Sequence, residues 1–383
     1  MESETLLIKS LQNLLLTDKS TIDTNKSEGD YILDLAVQNS SDPLIAAVYS
    51  DFTIRLMSKN GLKHSSTISG HKDTVTKVQF GQSDVHMVYS CSKDKTIRCW
   101  DTRTSTTKEV KLFQAPPAVT SEFLSLDVSH SDLLLCAGTE MVDNDSYLLF
   151  WDNRQNSLLG CYSECHQDDV TQVCFQPGSD RNLASGSADG LVCIFDLAET
   201  SEDDALQITA NAESDVSRVG WCGGQNGTDC VYCVTSDNSF RVWDAQEGDN
   251  CCTVSNLSEV YEGGAVDYIV DCIPELTACS NNRSTAVLLT GSYSGHLRLL
   301  SCTDQDNVKC TLSSLDAGHT ATVRCSHWDS KTQTLLTGGE DSQVCLWSPG
   351  PLTQISNKSS KAESRGKMIV TEHSRKPYNK TKK

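Results

Sequence analysis

The chain has 383 residues, with 32 Lys+Arg against 51 Asp+Glu and a formal net charge of −19. Residues 351–383 hold nine Lys/Arg against Glu363 and Glu372, a net of +7, which leaves −26 on residues 1–350. A body of that sign repels phosphate backbones, so classes that grip nucleic acid through a basic face are excluded, and the expected partners are proteins with basic surfaces.

The length exceeds that of a usual single core and suits an array of units in which each packs only on its neighbours. The eighteen cysteines lie scattered through strand-like segments, with no signal peptide ahead of them, and read as reduced, mostly buried small hydrophobes rather than a disulfide framework. No apolar run reaches the length of a membrane span. The expectation is a protein of the cytosol or nucleus with no membrane contact.

In chain order, residues 1–30 precede any repeat and contain the β-capable stretch Leu11 to Leu16. From Tyr31 a pattern begins that is clearest at Ser92 to Arg103, SKDKTIRCWDTR: a Ser-x-Asp turn, then the strand-like run Thr96 to Trp100, then Asp101. It returns as DNDSYLLFWDNR from Asp143, SADGLVCIFD from Ser187, TSDNSFRVWD from Thr235 and GEDSQVCLW from Gly339. Aligning the turns extends the series to seven: Asp51, Asp94, Asp145, Asp189, Asp237, Ser294 and Asp341. Six residues on stand Met57, Trp100, Trp151, Phe195, Trp243, Leu300 and Trp347. This layout, running from about Tyr31 to Trp347, resembles the WD-repeat family.

The resemblance implies an all-β fold, a seven-bladed β-propeller of four-stranded blades over residues 31–350. It also implies that a strand near the N-terminus closes the ring, and Leu11 to Leu16 is the candidate for the outer strand of blade 7. After Trp347 the chain turns at Ser348, Pro349, Gly350 and Pro351. Residues 351–383 read as a basic disordered tail, in which SRKPYNKTKK is a candidate nuclear-import signal and the only candidate for weak nucleic-acid contact.

In the family, His, Ser, Asp and Trp form a buried hydrogen-bonded chain within a blade, and His71, Ser92, Asp94 and Trp100 match all four positions. Blade 4 offers His166, Ser187 and Asp189, with Phe195 in place of an indole. Blade 5 offers Thr235, Asp237 and Trp243, with Ala212 in place of the histidine. Blade 7 offers His319, Asp341 and Trp347, with Gly339 in the hydroxyl position. A catalytic constellation would not recur with such free substitution, so these residues read as a structural network and the protein as a non-enzyme. There is no GxSxG elbow, phosphate loop or HExxH motif, and neither a cofactor nor a metal is expected. Cys230 and Cys233 fall at strand spacing that sends them to opposite faces, and Cys161, Cys165 and His166 lack a fourth ligand.

The resemblance places the turns at Asp94, Asp189 and Asp341 and the histidine loops on one face, the upper face. Upper-face loop extensions are Gln114 to Ser121, Thr139 to Asn144 and Leu257 to Ala265. Lower-face ones are Glu199 to Ala205, Gly223 to Asp229, Gln246 to Asn250 and Pro274 to Ser284. On the lower face two WDxR sequences lie in adjacent blades, Trp100-Asp101-Thr102-Arg103 and Trp151-Asp152-Asn153-Arg154. They are similar to the paired motif in substrate receptors of cullin-based ubiquitin ligases, where the arginines meet a propeller adaptor. Asp101, Arg103, Asp152 and Arg154 are therefore the candidate partner-binding residues, since each guanidinium offers carboxylates a planar fork. The alternative is a nuclear scaffold that binds basic chromatin or ribosome-biogenesis proteins through its acidic body.

Overall fold

The computed structural model describes residues 2–20, 29–104, 108–223, 229–255, 257, 266–277, 285–303 and 307–350. Alternating apolar side chains on short runs bounded by Asp, Gly and Asn turns give strands, and the described strands assemble into seven antiparallel four-stranded sheets. Blade 2 shows the pattern: Val75–Phe80, Met87–Ser92, Thr96–Asp101 and Lys111–Gln114, in that order from the inside outward. The fold is thus all-β, a seven-bladed β-propeller.

The hairpin between the second and third strands of each blade is set by one local conformation. The residue after the turn position has positive φ in six blades: Phe52, Lys95, Gly190, Asn238, Gly295 and Ser342. A turn Asp accepts the backbone N–H two residues on, as Asp94 Oδ1 does from Thr96 at 3.0 Å, and this holds the turn closed. Blade 3 departs, with Asp143 and Asn144 in the left-handed region and a Val142–Asp145 bridge lengthening its hairpin.

The ring closes between the two ends of the propeller. Leu14–Lys19 pairs antiparallel with Val344–Pro349 and supplies the outermost strand of blade 7, whose other strands are Val323–Asp329 and Thr334–Gly339. The expected closing stretch, Leu11 to Leu16, is shifted. Leu11 ends a helix, Glu2–Leu11, and the strand starts three residues later and runs into Thr17, Asp18 and Lys19. An outer strand buries one face only, so Leu14 is buried while Leu15 is 56% exposed, and polar residues beyond Leu16 continue the strand without cost. Leu11 is instead buried against the blade 6 and blade 7 residues Leu276, Val287, Leu315 and Trp347.

The core is distributed between neighbouring blades. Trp100 of blade 2 packs with Ala36, Val48, Ile54 and Ile68 of blade 1, and Trp151 of blade 3 with Tyr89, Cys91, Ile97 and Phe113 of blade 2. Each such buried side chain contributes roughly 1.5–3 kcal/mol, so every blade depends on both neighbours. Most of the described cysteines are buried in these layers. Burial pushes the Cys91 and Cys99 thiols up to about 12, so they behave as small hydrophobes. No described helix is long and apolar enough to cross a membrane. Most of the expected loop at Leu257 to Ala265, parts of those at Gly223 to Asp229 and Pro274 to Ser284, and the tail 351–383 lie outside the described residues.

Candidate functional site

Three arrangements bear on function: the buried polar chains that fix the blades, the paired arginines on the lower face, and the central channel.

In blade 2, Trp100 Nε1 donates to Ser90 Oγ at 2.9 Å, Ser90 Oγ lies 2.8 Å from His71 Nε2, and His71 Nδ1 lies 3.0 Å from Asp94 Oδ2. One assignment satisfies every donor: indole N–H to serine oxygen, serine O–H to Nε2, and Nδ1–H to the carboxylate. The hydroxyl in this chain is Ser90 and not the expected Ser92, and in blade 4 it is Ser185 and not Ser187. The reason is register. Trp100 pairs with Val88, so its indole spans the one strand period to Ser90, whereas Ser92 lies a further period away. Ser92 and Ser187 have a different task, each capping its hairpin by donating to the carbonyl of Asp73 or Asp168 and accepting from the N–H of Asp94 or Asp189.

The same correction restores blade 7. Its hydroxyl is Thr337, which accepts from Trp347 Nε1 at 2.9 Å and lies 2.8 Å from His319 Nε2, and His319 Nδ1 reaches Asp341 at 3.0 Å. Gly339, expected in the hydroxyl position, is instead the hairpin residue beside Asp341. Blade 5 has apolar groups where the chain would run. Ala212 and Cys233 pack with Trp243, while Thr235 turns its hydroxyl to Asp237.

The residue before each histidine follows the aromatic. A Cβ on Gly318 would lie 2.4 Å from the Trp347 ring and one on Gly70 would lie 3.0 Å from Trp100. In blade 4 the smaller Phe195 leaves room for Cys165 ahead of His166. Losing the indole also frees Ser185 to accept from His166, whose Nε2 lies 2.7 Å away. Burial opposes the imidazolium of His166 and is the largest single influence, but the hydrogen bonds and charges of Asp189 and Cys193 together more than offset it, and the group is pushed up to about 9.

The two WDxR sequences adopt one geometry. Arg103 donates from Nε and Nη2 to the two oxygens of Asp101 at 2.9 and 2.8 Å, and its backbone N–H bonds the same carboxylate. Arg154 does the same to Asp152, at 3.3 and 3.0 Å. The carboxylates end the strands Thr96–Asp101 and Leu148–Asp152 of neighbouring blades, so both arginines emerge on one face. Their side chains remain 53% and 65% exposed. Each aspartate takes the Nε–Nη2 edge of its guanidinium; Arg103 Nη2 also lies 3.6 Å from Asp84 Oδ2, whereas Arg154 has no second carboxylate among the described residues, so its Nη1–Nη2 edge is able to grip one. Within the second motif Asn153 is buried and ties blade 3 to blade 2, donating to Tyr89 Oη and to the Asp132 carbonyl, both at 2.7 Å.

The acidic cluster at the expected lower-face loop is partly structural. Glu202 accepts the backbone N–H groups of Ser163, Glu164 and Cys165, each at 2.8 Å, whereas Glu199, Asp203 and Asp204 are exposed. Cys230 and Cys233 face different clusters of the core. Among the described residues no group of His, Cys, Asp and Glu has the arrangement of a metal site.

The channel was not legible as a site in the sequence. A cavity of about 710 Å³ is lined by one or more residues from the innermost strand of every blade: Asp34, Lys77, Asp127, Cys174, Arg218, Asp271 and His327 in chain order. Lys77 pairs with Asp34 at 2.9 Å and Lys59, near one mouth, with Asp329 at 2.5 Å. Asp127 accepts from Gln79 Nε2 and from the Phe175 N–H of the next blade, and burial pushes it up to about 6. Burial pushes His327 down to about 4, so it is neutral.

Comparison with known proteins agrees with this architecture. Residues 62–101, 157–196 and 309–348 match the model of the WD domain, G-beta repeat. Each matched stretch begins on the outer strand of one blade and ends on the third strand of the next, so the sequence unit overlaps two blades and links them. The chain is 26% identical to the WD repeat-containing protein 89 homolog of Dictyostelium discoideum over 94% of this chain and 95% of that one. It is 28% identical to the WD repeat-containing protein GTS1 of Arabidopsis thaliana over 86% of this chain and 83% of that one. It is also 26% identical to an uncharacterized WD repeat-containing protein of Saccharomyces cerevisiae over 79% of this chain.

Proposed function

We propose that this seven-bladed propeller of WD repeats, whose family is one of generic interaction scaffolds, is a non-catalytic scaffold that docks through its lower face, acting as a substrate receptor on the propeller adaptor of a cullin-based ubiquitin ligase. The observation that carries the reading is the matched pose of Arg103 and Arg154, each braced by its own aspartate and more than half exposed. Bracing lowers the side-chain entropy lost on docking, and a planar fork selects carboxylates where a lysine would act as a point charge. The polar residues a nucleophile-and-base reading would need are engaged in the buried chains, where each serves a neighbour in its blade.

A second reading is favoured by charge. The −26 on residues 1–350, with Glu199, Asp203 and Asp204 exposed on the same face, suits a nuclear scaffold for basic chromatin or ribosome-biogenesis proteins. Affinity purification from cells separates the two. Wild type is compared with the Arg103→Ala, Arg154→Ala double variant, its fold checked by circular dichroism. Adaptor and cullin recovered with wild type and lost with a folded variant establish the receptor. If neither protein recovers them, the receptor reading is wrong. Basic partners that elute with rising salt regardless of the arginines then identify the scaffold.

A further inference from the structure

The channel holds ionic groups of both signs, and most are already matched. Lys77 has Asp34 and Lys59 has Asp329. Asp127 is raised to about 6 by burial and is held by the neutral donors Gln79 Nε2 and the Phe175 N–H. Arg218 and Asp271 differ from these. Arg218, on the innermost strand of blade 5, reaches across to blade 7 and donates Nη2 to the Arg324 carbonyl at 2.6 Å. It makes no ion pair, and its other N–H groups have no acceptor among the described residues. Asp271, on the innermost strand of blade 6, is fixed through Oδ1 by Tyr232 Oη at 3.0 Å and by the Cys272 N–H at 2.8 Å. Its Oδ2 has no donor among the described residues. The two charges are near enough that Asp271 is the main influence holding the Arg218 guanidinium in its charged form against burial, yet they do not touch.

A guanidinium with free donors and a carboxylate with a free oxygen, lining one cavity, are satisfied together by a molecule that presents an anion to the one and a cation to the other. Both groups line the same cavity from the innermost strands of neighbouring blades, with no ion pair between them among the described residues, and an α-amino acid carries both complementary charges in one small molecule. The cavity is within the size range of small-molecule sites. Towards one mouth the lining is polar, with Asn39, Ser40, Asn60 and Thr332 beside Lys331 and the paired Lys59 and Asp329, which suits a hydrated polar ligand. We propose that the channel binds a small zwitterion of the amino-acid type, its carboxylate on Arg218 and its ammonium on Asp271. The site is separate from the lower-face arginines and does not depend on the docking proposed for them.

The test is isothermal titration calorimetry and thermal-shift measurement on the full chain, with the standard free L-amino acids as probes at millimolar concentration. For each that binds, the matching amine lacking the carboxylate and the matching acid lacking the ammonium are titrated as well. At least one amino acid is expected to bind, with both truncated analogues weaker. Loss of a charge-assisted hydrogen bond corresponds to a weakening of about tenfold or more, expected for Arg218→Gln and for Asp271→Asn, which keeps the Tyr232 and Cys272 bonds. The Arg103→Ala, Arg154→Ala variant is expected to bind as wild type does. Should either channel variant fail to fold, the other variant and the truncated analogues carry the test. The proposal is overturned if no amino acid in the panel binds wild type, if binding survives both channel substitutions, or if acetate or methylamine alone binds as well as the zwitterion.

Discussion

Ser90→Ala is the substitution that most directly probes how a blade is held. Ser90 is fully buried and serves two groups, the Trp100 N–H and His71 Nε2. Alanine keeps the methylene and opens almost no cavity, so the cost is that of two polar groups left without partners. At roughly 1–3 kcal/mol per orphaned group, the expected loss is about 2–5 kcal/mol. Blade 4 supplies an internal control. Ser185 is equally buried but serves His166 alone, because Phe195 has no N–H, so Ser185→Ala is expected to lose about half as much. Urea unfolding followed by tryptophan fluorescence gives both values, and hydrogen exchange of Met87–Ser92 and Thr96–Asp101 localises the first to blade 2. In the double variant Ser90→Ala, Trp100→Phe the two losses are expected to be less than additive by about 1 kcal/mol, since the second change removes a donor the first had orphaned. A cost for Ser90→Ala under about 0.5 kcal/mol, or one smaller than that of Ser185→Ala, would refute this account of the polar chain.

Three further outcomes follow from the same geometry. His166 is raised in the folded state above its ordinary 6.5, so its stabilisation is complete below that value and is lost as pH rises towards about 9. Stability is expected to fall by roughly 2 kcal/mol between pH 7 and pH 8.5, and His166→Gln to remove that component, as read from urea midpoints across pH. Leu14 is buried on the ring-closing strand, and Leu14→Ala is expected to cost about 2–4 kcal/mol and to speed hydrogen exchange in Val344–Pro349, its partner strand. Unchanged exchange there would mean that the N-terminal strand does not close the ring. Gly318→Ala places a methyl 2.4 Å from the Trp347 ring and is expected to lower stability by about 1–3 kcal/mol, partly recovered by Trp347→Phe, with thermal unfolding of the single and double variants as the measure.

The sequence by itself determined the blade count and the positions of the hairpins, because both rest on local chemistry. An aspartate that closes a turn, a left-handed residue after it and alternating apolar side chains act within about ten residues, as at Asp94, Lys95 and Thr96 to Trp100. It also separated Cys230 from Cys233 by strand periodicity and brought Arg103 and Arg154 to one face. Register across strands was harder to read. Ser90 and Ser92 have the same composition, period and burial, and only the pairing of Trp100 with Val88 decides which hydroxyl the indole meets. Thr337 was hidden in the same way behind Gly339. The shift of the closing strand from Leu11 to Leu14 reflects an outer strand that buries one face, so its polar half carries no hydrophobic signal. The channel was decided by tertiary structure alone. Asp34, Lys77, Asp127, Arg218 and Asp271 are separated by about forty to ninety residues in sequence, and each is the sole charged residue of its strand. Only closure of the ring turns those isolated charges towards one another, matching some and leaving Arg218 and Asp271 open.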